Sequence, residues 1–398
     1  MMNAPLTIAL DALALAIVLP TVPVIAEILV LSLAALKQPL TPAMTTDTSL
    51  RIAVLIPAHN EERLIGACVA SVRNSLHQPS NIYVITHNCT DATAANARAA
   101  GANVIDLNDD GVRGKGAALL HGFTIATGEH ADAVLVIDAD STIASTLIGH
   151  VHDAFARGAD AVQARYIAAT GTTEHAHLQS LVLYGMNVLR PRGRANIGLS
   201  CGIFGNGFAL SATTLNAVPY TAHSVVEDME YHLMLVSSGR RVQFLDRAEV
   251  RGEMPDNNRA AATQSARWEG GRARMRREYT LPLLTHLLHG RLQLMEPLFD
   301  LLSIPLGNAL LLMFLALLLP VTASRVYAGV ALLAVLLYVA VSAWLSPRPA
   351  SMLRAALAVP AFLLRKVLQL RAKRSAARSN TAWVRTQRNE TKPEETSE

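Results

Sequence analysis

Two aspartates separated by one residue, Asp138 and Asp140, follow the apolar run "AVLVI". If the chain stays extended at this point, side chains at positions i and i+2 point to the same side of the backbone. Their oxygen ligands suit Mg²⁺ or Mn²⁺, and such an ion would also bind the phosphates of a substrate. An ordinary acidic turn has the same pattern, so both interpretations stay open.

A second acidic pair, Glu227 and Asp228, lies in the stretch "VVEDMEYHLML", whose apolar spacing predicts an amphipathic helix. Carboxylates at a helix N-terminus are stabilised by the helix dipole, so the pair could serve only to cap the helix. Alternatively, one of the two is a general base that takes a proton from a substrate hydroxyl.

Two glycine-rich stretches complete the set of chemically suggestive segments. In "RGKGAAL" (113–119), Lys115 stands between glycines at a predicted helix start, where the backbone can approach an anion closely; a solvated loop is the alternative. The stretch "GIFGNGFALS" (202–211) contains Asn206 and Gly207. It is either a tight turn beside the path of an acceptor or a bulged strand.

Strands that alternate with helices carry these residues between about positions 50 and 290. The apolar runs in "RIAVLIPA", "NIYVITHN", "ANVIDLN" and "ADAVLVIDADS" predict four strands, with a helical segment after each of the first three. This order predicts an α/β fold with a largely parallel sheet and helices on both faces. Ligands bind at the carboxyl ends of such strands, and the polar clusters 59–61, 87–91 and 138–140 fall there.

Three apolar segments outside this body approach the ~20 residues that cross a bilayer: 12–36, 301–320 and 327–345. Buried core helices are the alternative for the last two. The first has no preceding positive charge and no evident cleavage site, which favours an uncleaved anchor over a signal peptide.

Charge distribution gives the expected topology. Segment 351–370 mixes apolar residues with three basic ones and is expected to lie in the membrane interface, although a span is the alternative. Residues 371–388 hold six basic residues, which places the tail in the cytoplasm. With one span before residue 50 and two after 300, the central region is expected in the cytoplasm, in a multi-pass protein of a bacterial-type inner or cell membrane.

Composition excludes several function classes. The net charge of +4 is small for 398 residues, and carboxylates crowd the strand ends, so a nucleic-acid binder is not expected. Aromatic residues make up only 5%, which disfavours a surface that stacks single-stranded bases. A large soluble body with few spans disfavours a transporter.

Taken in order, seven segments resemble the motifs of inverting family 2 glycosyltransferases. The segments are "IPAHNEE", "HNCTDAT", "RGKGAAL", "DADS", "GNGFALS", "VVEDMEYHL" and "QSARW". The similarity is greatest to the membrane-bound cellulose, hyaluronan and ceramide-glucosyl synthases, whose last motif is Q-x-x-R-W, and it covers about residues 50–280. It implies a GT-A fold, a nucleotide-sugar donor and a Mg²⁺ or Mn²⁺ cofactor.

The resemblance also implies roles for individual residues. Those expected around the nucleotide-sugar are Pro57, Glu61, Asn88, Asp91, Asp138, Gln264 and Arg267. Asp140, with Asp138 beside it, would bind the metal, Asp228 would be the catalytic base, and Trp268 would stack on the acceptor. The residue patterns add Lys115 to the donor site, Glu227 to the catalytic pair, and Asn206 and Gly207 to the acceptor site.

One position departs from the family pattern. Many members carry a carboxylate in the loop after the second strand, where it accepts the uracil N–H, but here Thr86 and His87 stand at the aligned positions. A neutral imidazole nitrogen can accept the same hydrogen bond, so a UDP-sugar remains the expected donor. The alternative is that His87 is a surface histidine without such a role.

Arginine-rich segments invite two further hypotheses. Arg190, Arg192 and Arg194 could contact a lipid-phosphate acceptor or the membrane surface, or belong to a solvated loop. The arginines that follow the "QSARW" motif are expected to face the anionic cytoplasmic leaflet: Arg272, Arg274, Arg276 and Arg277.

The sequence therefore predicts a membrane anchor (1–48), a GT-A domain (49–292), a membrane region (293–370) and a tail (371–398). Its expected function is sugar transfer to a glycan or lipid-linked acceptor in cell-envelope or exopolysaccharide synthesis, with membrane lipids and polysaccharide-synthesis proteins as candidate partners. The alternatives are transfer of a single sugar to a lipid carrier or lipid, and a non-catalytic membrane scaffold on a transferase fold.

Overall fold

The computed structural model describes residues 4–38, 49–108, 114–169, 174–222, 224–253 and 258–359, without the side chains of 174–175, 258–268 and 292. Helices α1 (Ala4–Val18) and α2 (Val22–Ala35) are joined by the 3₁₀ turn Leu19–Thr21. Together they form one apolar segment of 32 residues. Pro20 and Pro23 stand in the first turns of the 3₁₀ segment and of α2, where a missing N–H is tolerated.

A single eight-stranded sheet forms the centre of the described soluble body. Its strands are β1 (Ile52–Ala58), β2 (Asn81–His87), β3 (Asn103–Leu107), β4 (Ala133–Val136), β5 (Ser141–Ile143), β6 (Ala161–Ala168), β7 (Phe208–Ser211) and β8 (Val242–Gly252). Their spatial order is β3-β2-β1-β4-β7-β6-β8-β5.

The described sheet is largely parallel, as predicted, and two of its eight strands run in the opposite direction. Strands β1 to β4 are parallel where they pair, whereas β7 runs antiparallel to both β4 and β6, and β5 runs antiparallel to β8. Strands β6 and β8 pair in parallel, so among the described strands β7 and β5 are the ones that depart from the prediction. Strand β7 has only four residues, "FALS", and so short an apolar run carries no signal of its direction.

Helices cover both faces of the sheet, as predicted. The helices of this part of the chain are α3 (Ile65–Arg73), α4 (Thr93–Ala99), α5 (Lys115–Gly128), α6 (Leu147–Ala156), α7 (Glu174–Tyr184), α8 (Arg190–Asn196), α9 (Ala212–Ala217), α10 (Glu227–Ser237) and α11 (Asn258–Leu288). Of these, α3 and α6 pack on one face of the sheet and α5 and α10 on the other. Alternate residues of β1 enter opposite cores: Val54 and Ile56 pack on the side of α3 and α6, and Leu55 packs on the side of α5.

Four more helices follow α11: α12 (Met295–Leu302), α13 (Leu306–Leu318), α14 (Thr322–Trp344) and α15 (Pro349–Ala356). Within the described residues, Ala4–Ala35 and Thr322–Trp344 are long and apolar enough to cross a membrane. The predicted span over 301–320 coincides with a bent pair of helices, because α12 and α13 meet at 66° across a short break and are long and apolar enough to cross a membrane only together. Pro305 at this break cannot donate a backbone hydrogen bond. Segment 351–370 is described only to residue 359.

The segment with three arginines, 190–194, is neither a solvated loop nor a free surface. It forms α8, in which Arg192 is 6% and Arg194 4% exposed. Helix α8 crosses α2 so closely that a Cβ on Gly193 would lie 2.5 Å from the carbonyl oxygen of Leu31. The Asn196 amide donates to the carbonyl oxygen of Ala34 at 3.0 Å and so caps α2. The hypothesis of an exposed lipid-phosphate site at these arginines is therefore wrong.

Candidate active site

The carboxyl ends of β1 and β2 meet at one edge of the sheet and form a polar rim. Pro57 in β1 pairs with Ile85 of β2. Asn60 and Asn88 follow these strands with φ angles of 55° and 51°, a left-handed conformation that asparagine tolerates. The Asn60 side-chain oxygen accepts the Thr90 backbone N–H at 2.8 Å. The rim predicted from the sequence is therefore present, with Asn88 on it.

Glu61 and Asp91 lie together at this rim. The Asp91 carboxylate accepts the backbone N–H groups of Thr93 at 3.0 Å and Glu62 at 3.2 Å. The Glu61 N–H donates to the Thr93 hydroxyl at 2.7 Å. Asp91 thus stabilises the loop that begins α4, a structural role beside the predicted contact with the nucleotide.

His87 ends β2 and is only 1% exposed, so the alternative that it is a surface histidine is wrong. Its carbonyl oxygen is hydrogen-bonded to the Nδ1 of His59 at 2.7 Å.

The neighbouring strand supplies a carboxylate that the sequence analysis missed: Asp106 accepts the Thr86 hydroxyl at 2.5 Å and the Arg98 guanidinium at 2.6 Å. The Thr86 hydrogen bond, opposed by desolvation and assisted by Arg98, lowers the pKa of Asp106. The sequence feature that could have identified Asp106 is its position near the end of the third predicted strand.

Asn206 connects the residues of the loop that contains Asp138 and Asp140 by hydrogen bonds. The Asp138 N–H donates to the Asn206 side-chain oxygen at 3.1 Å, and the Asn206 amide donates to the Ser141 hydroxyl at 2.9 Å. The Ser141 hydroxyl in turn donates to Asp140 at 3.0 Å. Asn206 is 0% exposed, so the structure gives it a supporting role under the aspartates instead of the predicted contact with an acceptor.

Lys115 joins the glycine-rich turn to the aspartate loop. It begins α5, as predicted, and its ammonium donates to the Asp138 carboxylate and, at 2.5 Å, to the carbonyl oxygen of Gly205. Desolvation lowers the pKa of Lys115, but the charges of Asp138 and Glu227 outweigh it and raise the pKa overall. Lys115 is therefore charged at neutral pH.

Gly205, which the sequence analysis did not single out, faces the site. Its φ is +73°, and a Cβ there would lie 3.4 Å from the Oδ2 of Asp228 and 3.6 Å from the Nζ of Lys115. Gly207 instead faces the core, because its Cβ would lie 2.8 Å from a methyl group of Val250. Gly207 therefore does not face the site, whereas Gly205 lies against Asp228 and Lys115.

Glu227 and Asp228 begin α10 beside Lys115, as the resemblance implied. Burial and the Asp228 charge raise the pKa of Glu227 to about 7, although Lys115 opposes the shift. Burial also raises the pKa of Asp228, against the Met229 N–H, which donates to its Oδ1 at 2.8 Å, and against the charges of Lys115 and Arg272. Two adjacent carboxyl groups with raised pKa values thus lie at the start of α10, an arrangement that suits proton transfer.

Helix α11 passes close to the start of α10. A Cβ on Gly271 would lie 2.7 Å from a methyl carbon of Val226, so this glycine permits the approach. The motif residues Gln264, Arg267 and Trp268 lie on α11, but their side chains fall outside the described part of the chain. Their predicted roles stay predictions.

The arginines after this motif do not form one membrane-facing set. Arg276 donates to the backbone carbonyl oxygens of Leu301 at 2.5 Å and Ser303 at 3.3 Å, where it caps α12. Arg272 is partly buried within electrostatic reach of Asp228 and Asp300. The expectation that both face the lipid leaflet is wrong, whereas Arg274 and Arg277 are exposed.

Comparisons with known proteins agree with this geometry. The family model described as "Glycosyltransferase like family 2" matches residues 50–271. Protein RfbJ of Shigella flexneri is 35% identical over 94 residues, which are 24% of this chain and 67% of that protein. The solved structure of the mannosyltransferase PcManGT from Pyrobaculum calidifontis, in complex with GDP-Man and Mn²⁺, has a TM-score of 0.52 at 16% identity and covers 88% of this chain and 97% of its own. That likeness, together with the sheet, establishes the GT-A fold.

Proposed function

The chain belongs to the glycosyltransferase-like family 2, and we propose that it moves a sugar from a nucleotide-sugar to an acceptor hydroxyl with inversion at the anomeric carbon. The observation that carries this is the cluster at the strand ends, where Lys115 binds Asp138 and where Asp228 and Lys115 both lie beside Gly205. The reaction needs a positive charge that binds the diphosphate and a carboxylate that accepts the proton of the acceptor hydroxyl.

Asp228 acts as the base that takes the acceptor proton. Its Oδ1 accepts the Met229 N–H and its Oδ2 lies beside Gly205, so one oxygen is oriented by the backbone and the other would take the proton. Glu227 lies beside it with a pKa raised to about 7 by burial and by Asp228. Protonated Glu227 would limit the negative charge next to the base.

Asp138 and Asp140 would hold Mg²⁺ or Mn²⁺, an assignment that fits their oxygen-only chemistry. Among the described residues, no group of three His, Cys, Asp or Glu side chains could hold a metal by itself. Two carboxylates are enough when phosphate oxygens of the substrate complete the coordination. When bound, the ion would stabilise negative charge on the leaving diphosphate. Asn206 and Ser141 orient the two aspartates for this role.

The polar rim of β1 and β2 would take the nucleoside, with Pro57, Glu61, Asn88 and Asp91 around it. A UDP-sugar is our first choice. PcManGT binds GDP-Man according to its description, so a guanine donor is the alternative to be tested. The buried position of His87 supports a role in shaping the rim.

We place the GT-A domain at residues 49–292 on the cytoplasmic face of a bacterial-type membrane, between an anchor (1–48) and a membrane region (293–370). If the bent pair α12–α13 counts as one span, the domain and the basic tail lie on the same side, as the positive-inside rule requires. Membrane lipids would then surround the exposed leucines of α1 and α14.

The acceptor is a glycan or a lipid-linked molecule. Helix α13 has 13 residues, or about 20 Å at 1.5 Å per residue, which is less than a ~30 Å hydrocarbon core. The small number of complete spans among the described residues favours transfer of one sugar to a lipid carrier over synthesis and export of a polymer by a single chain. Polymer synthesis would require oligomers or partner proteins.

Purified protein in detergent, supplied with Mg²⁺ or Mn²⁺ and a panel of nucleotide-sugars, tests the proposal. Asp228→Asn should lower kcat by about 10²–10⁴-fold and leave donor binding intact. Asp140→Asn should weaken metal-dependent donor binding. Absence of transfer and of hydrolysis with every donor, or full activity of Asp228→Asn, would contradict the proposal.

A further inference from the structure

A buried ion network joins the N-terminal membrane helix to the catalytic domain. Arg194 contacts Glu27 at 2.7 Å, Asp300 at 2.9 Å and Glu296 at 2.8 Å. Arg190 contacts the same Glu27 oxygen at 2.5 Å and Asp300 at 2.6 Å. These five residues, called the ion network below, come from α2, α8 and α12. Glu27, the single charge in an apolar segment, thus pairs with residues far along the chain, a connection that no local sequence pattern indicates.

The network is shielded from water. Its side chains are between 2% exposed, for Glu296, and 17% exposed, for Asp300. Buried charges are costly unless they are paired, so each member needs the others in place. Ser303 adds a hydrogen bond to the second Glu27 oxygen at 3.3 Å. The positions of α2, α8 and α12 are therefore fixed relative to one another.

The network reaches the catalytic helix at His232. This residue lies four positions after Asp228 on α10, on the same helix face, and is 4% exposed. Its Nε2 lies 2.8 Å from the Ser200 hydroxyl and 3.8 Å from the Oε2 of Glu296. Burial, with Arg194 adding to it, lowers the pKa of His232 to about 4, so the ring is neutral at pH 7. The neutral ring is hydrogen-bonded to the segment after α8 through Ser200, and at 3.8 Å it packs against Glu296 without a hydrogen bond. Apolar packing completes the connection between α10 and α12, because Leu233 lies in one buried cluster with Leu298 and Leu301.

Stability alone does not account for this arrangement. Well-packed apolar side chains of similar volume stabilise a protein as well as a buried ion pair does, and often better. Charged pairs differ in allowing few alternative geometries. The active site depends on geometry, because a displacement of about 1 Å can cost ~10²-fold in rate.

We propose that Glu27 is a positioning residue for Asp228, acting from the membrane helix through Arg194, Glu296 and His232. The catalytic rate then depends on the position of α2 relative to α10, which couples the membrane anchor to the active site. This inference rests on the proposed role of Asp228 as the base. Glu27 itself is not proposed to contact donor or acceptor.

The test compares steady-state kinetics of the full-length Glu27→Gln variant with those of the wild type, both in the same detergent. We expect kcat per folded molecule to fall about 10–100-fold, with the KM for the donor within about twofold. Glu27→Asp keeps the charge and should restore part of kcat. It also serves as the second variant if Glu27→Gln does not accumulate. A double-mutant cycle with His232→Asn should be non-additive, because both changes interrupt the same connection.

Asp160→Asn is the matched control. It removes the ion pair with Arg240 just beyond the other end of α10, outside the network, and should leave kcat unchanged. Wild-type kcat in both folded Glu27 variants, or additive effects in the cycle, would overturn the positioning role. Full activity of Asp228→Asn, measured alongside, would instead refute the proposed function, so the two failures are distinguishable.

Discussion

The ammonium of Lys115 binds the carboxylate of Asp138, and this contact joins the start of α5 to the carboxyl end of β4. The same ammonium donates to the carbonyl oxygen of Gly205, beside Asp228. One cation thus lies between the aspartate proposed to contact the donor and the aspartate proposed to be the base. Its charge affects both ends of the reaction.

Lys115→Gln should impair donor binding and turnover together. Loss of a charged hydrogen bond costs roughly 1.5–3 kcal/mol, so kcat/KM should fall about 10–150-fold. Donor affinity can be measured by calorimetry and turnover by product formation. Lys37→Gln, at the end of the N-terminal helix, is the control and should keep wild-type kinetics. If the Lys115 and Lys37 variants have the same kcat/KM and donor affinity, Lys115 is not part of the active site.

Gly271→Ala should push α11 away from the start of α10. The new Cβ would lie 2.7 Å from a methyl carbon of Val226, and such overpacking costs about 1–3 kcal/mol. We expect lower kcat and a lower midpoint of thermal unfolding. Gly270→Ala has nothing within 4 Å of its Cβ and should be neutral or slightly stabilising. Adding Val226→Ala should restore the Gly271 variant; if it does not, steric contact is not the cause.

Glu227→Gln should change how stability depends on pH. The folded-state pKa of Glu227 is raised from 4.5 to about 7, so its contribution to stability is full below pH 4.5 and is lost as pH rises through 7. The variant lacks this titration. Between pH 4.5 and pH 8, the free energy of unfolding of the variant should therefore rise by about 1–3 kcal/mol relative to that of the wild type. Chemical unfolding of both ligand-free proteins at the two pH values measures this difference. If the variant instead gains stability relative to the wild type on acidification, the prediction is contradicted.

Arg272→Gln should shift the acid limb of the pH profile of kcat/KM to higher pH. Burial raises the pKa of Asp228, and Arg272 is one of the charges that oppose this shift. Without Arg272 the base is protonated at a higher pH, so activity is lost earlier on acidification. Arg274→Gln, which removes an exposed pair with Glu278, should leave the profile in place. A profile moved to lower pH would contradict the assigned electrostatics.

Most of the local elements could be predicted from the sequence. The first four strands, the helix that begins at Lys115 and the helix that begins at Glu227 all form where the apolar patterns indicate. Seven short motifs in order were enough to indicate the family, which the match over residues 50–271 establishes. The reversed direction of β5 and β7 was not predictable, because strands of three and four residues pair according to their neighbours.

What the sequence determined by itself is the order of motifs, the period of each apolar run and hence the residues at the strand ends. These are local properties, fixed by backbone geometry and side-chain type over a few residues. Only the tertiary structure decided that Gly205 faces Asp228, that Asn206 lies buried beneath the aspartates and that Glu27 meets Arg194. Those relations join residues far apart in the chain, and the physical reason is burial: polar groups removed from water must find partners wherever the fold provides them.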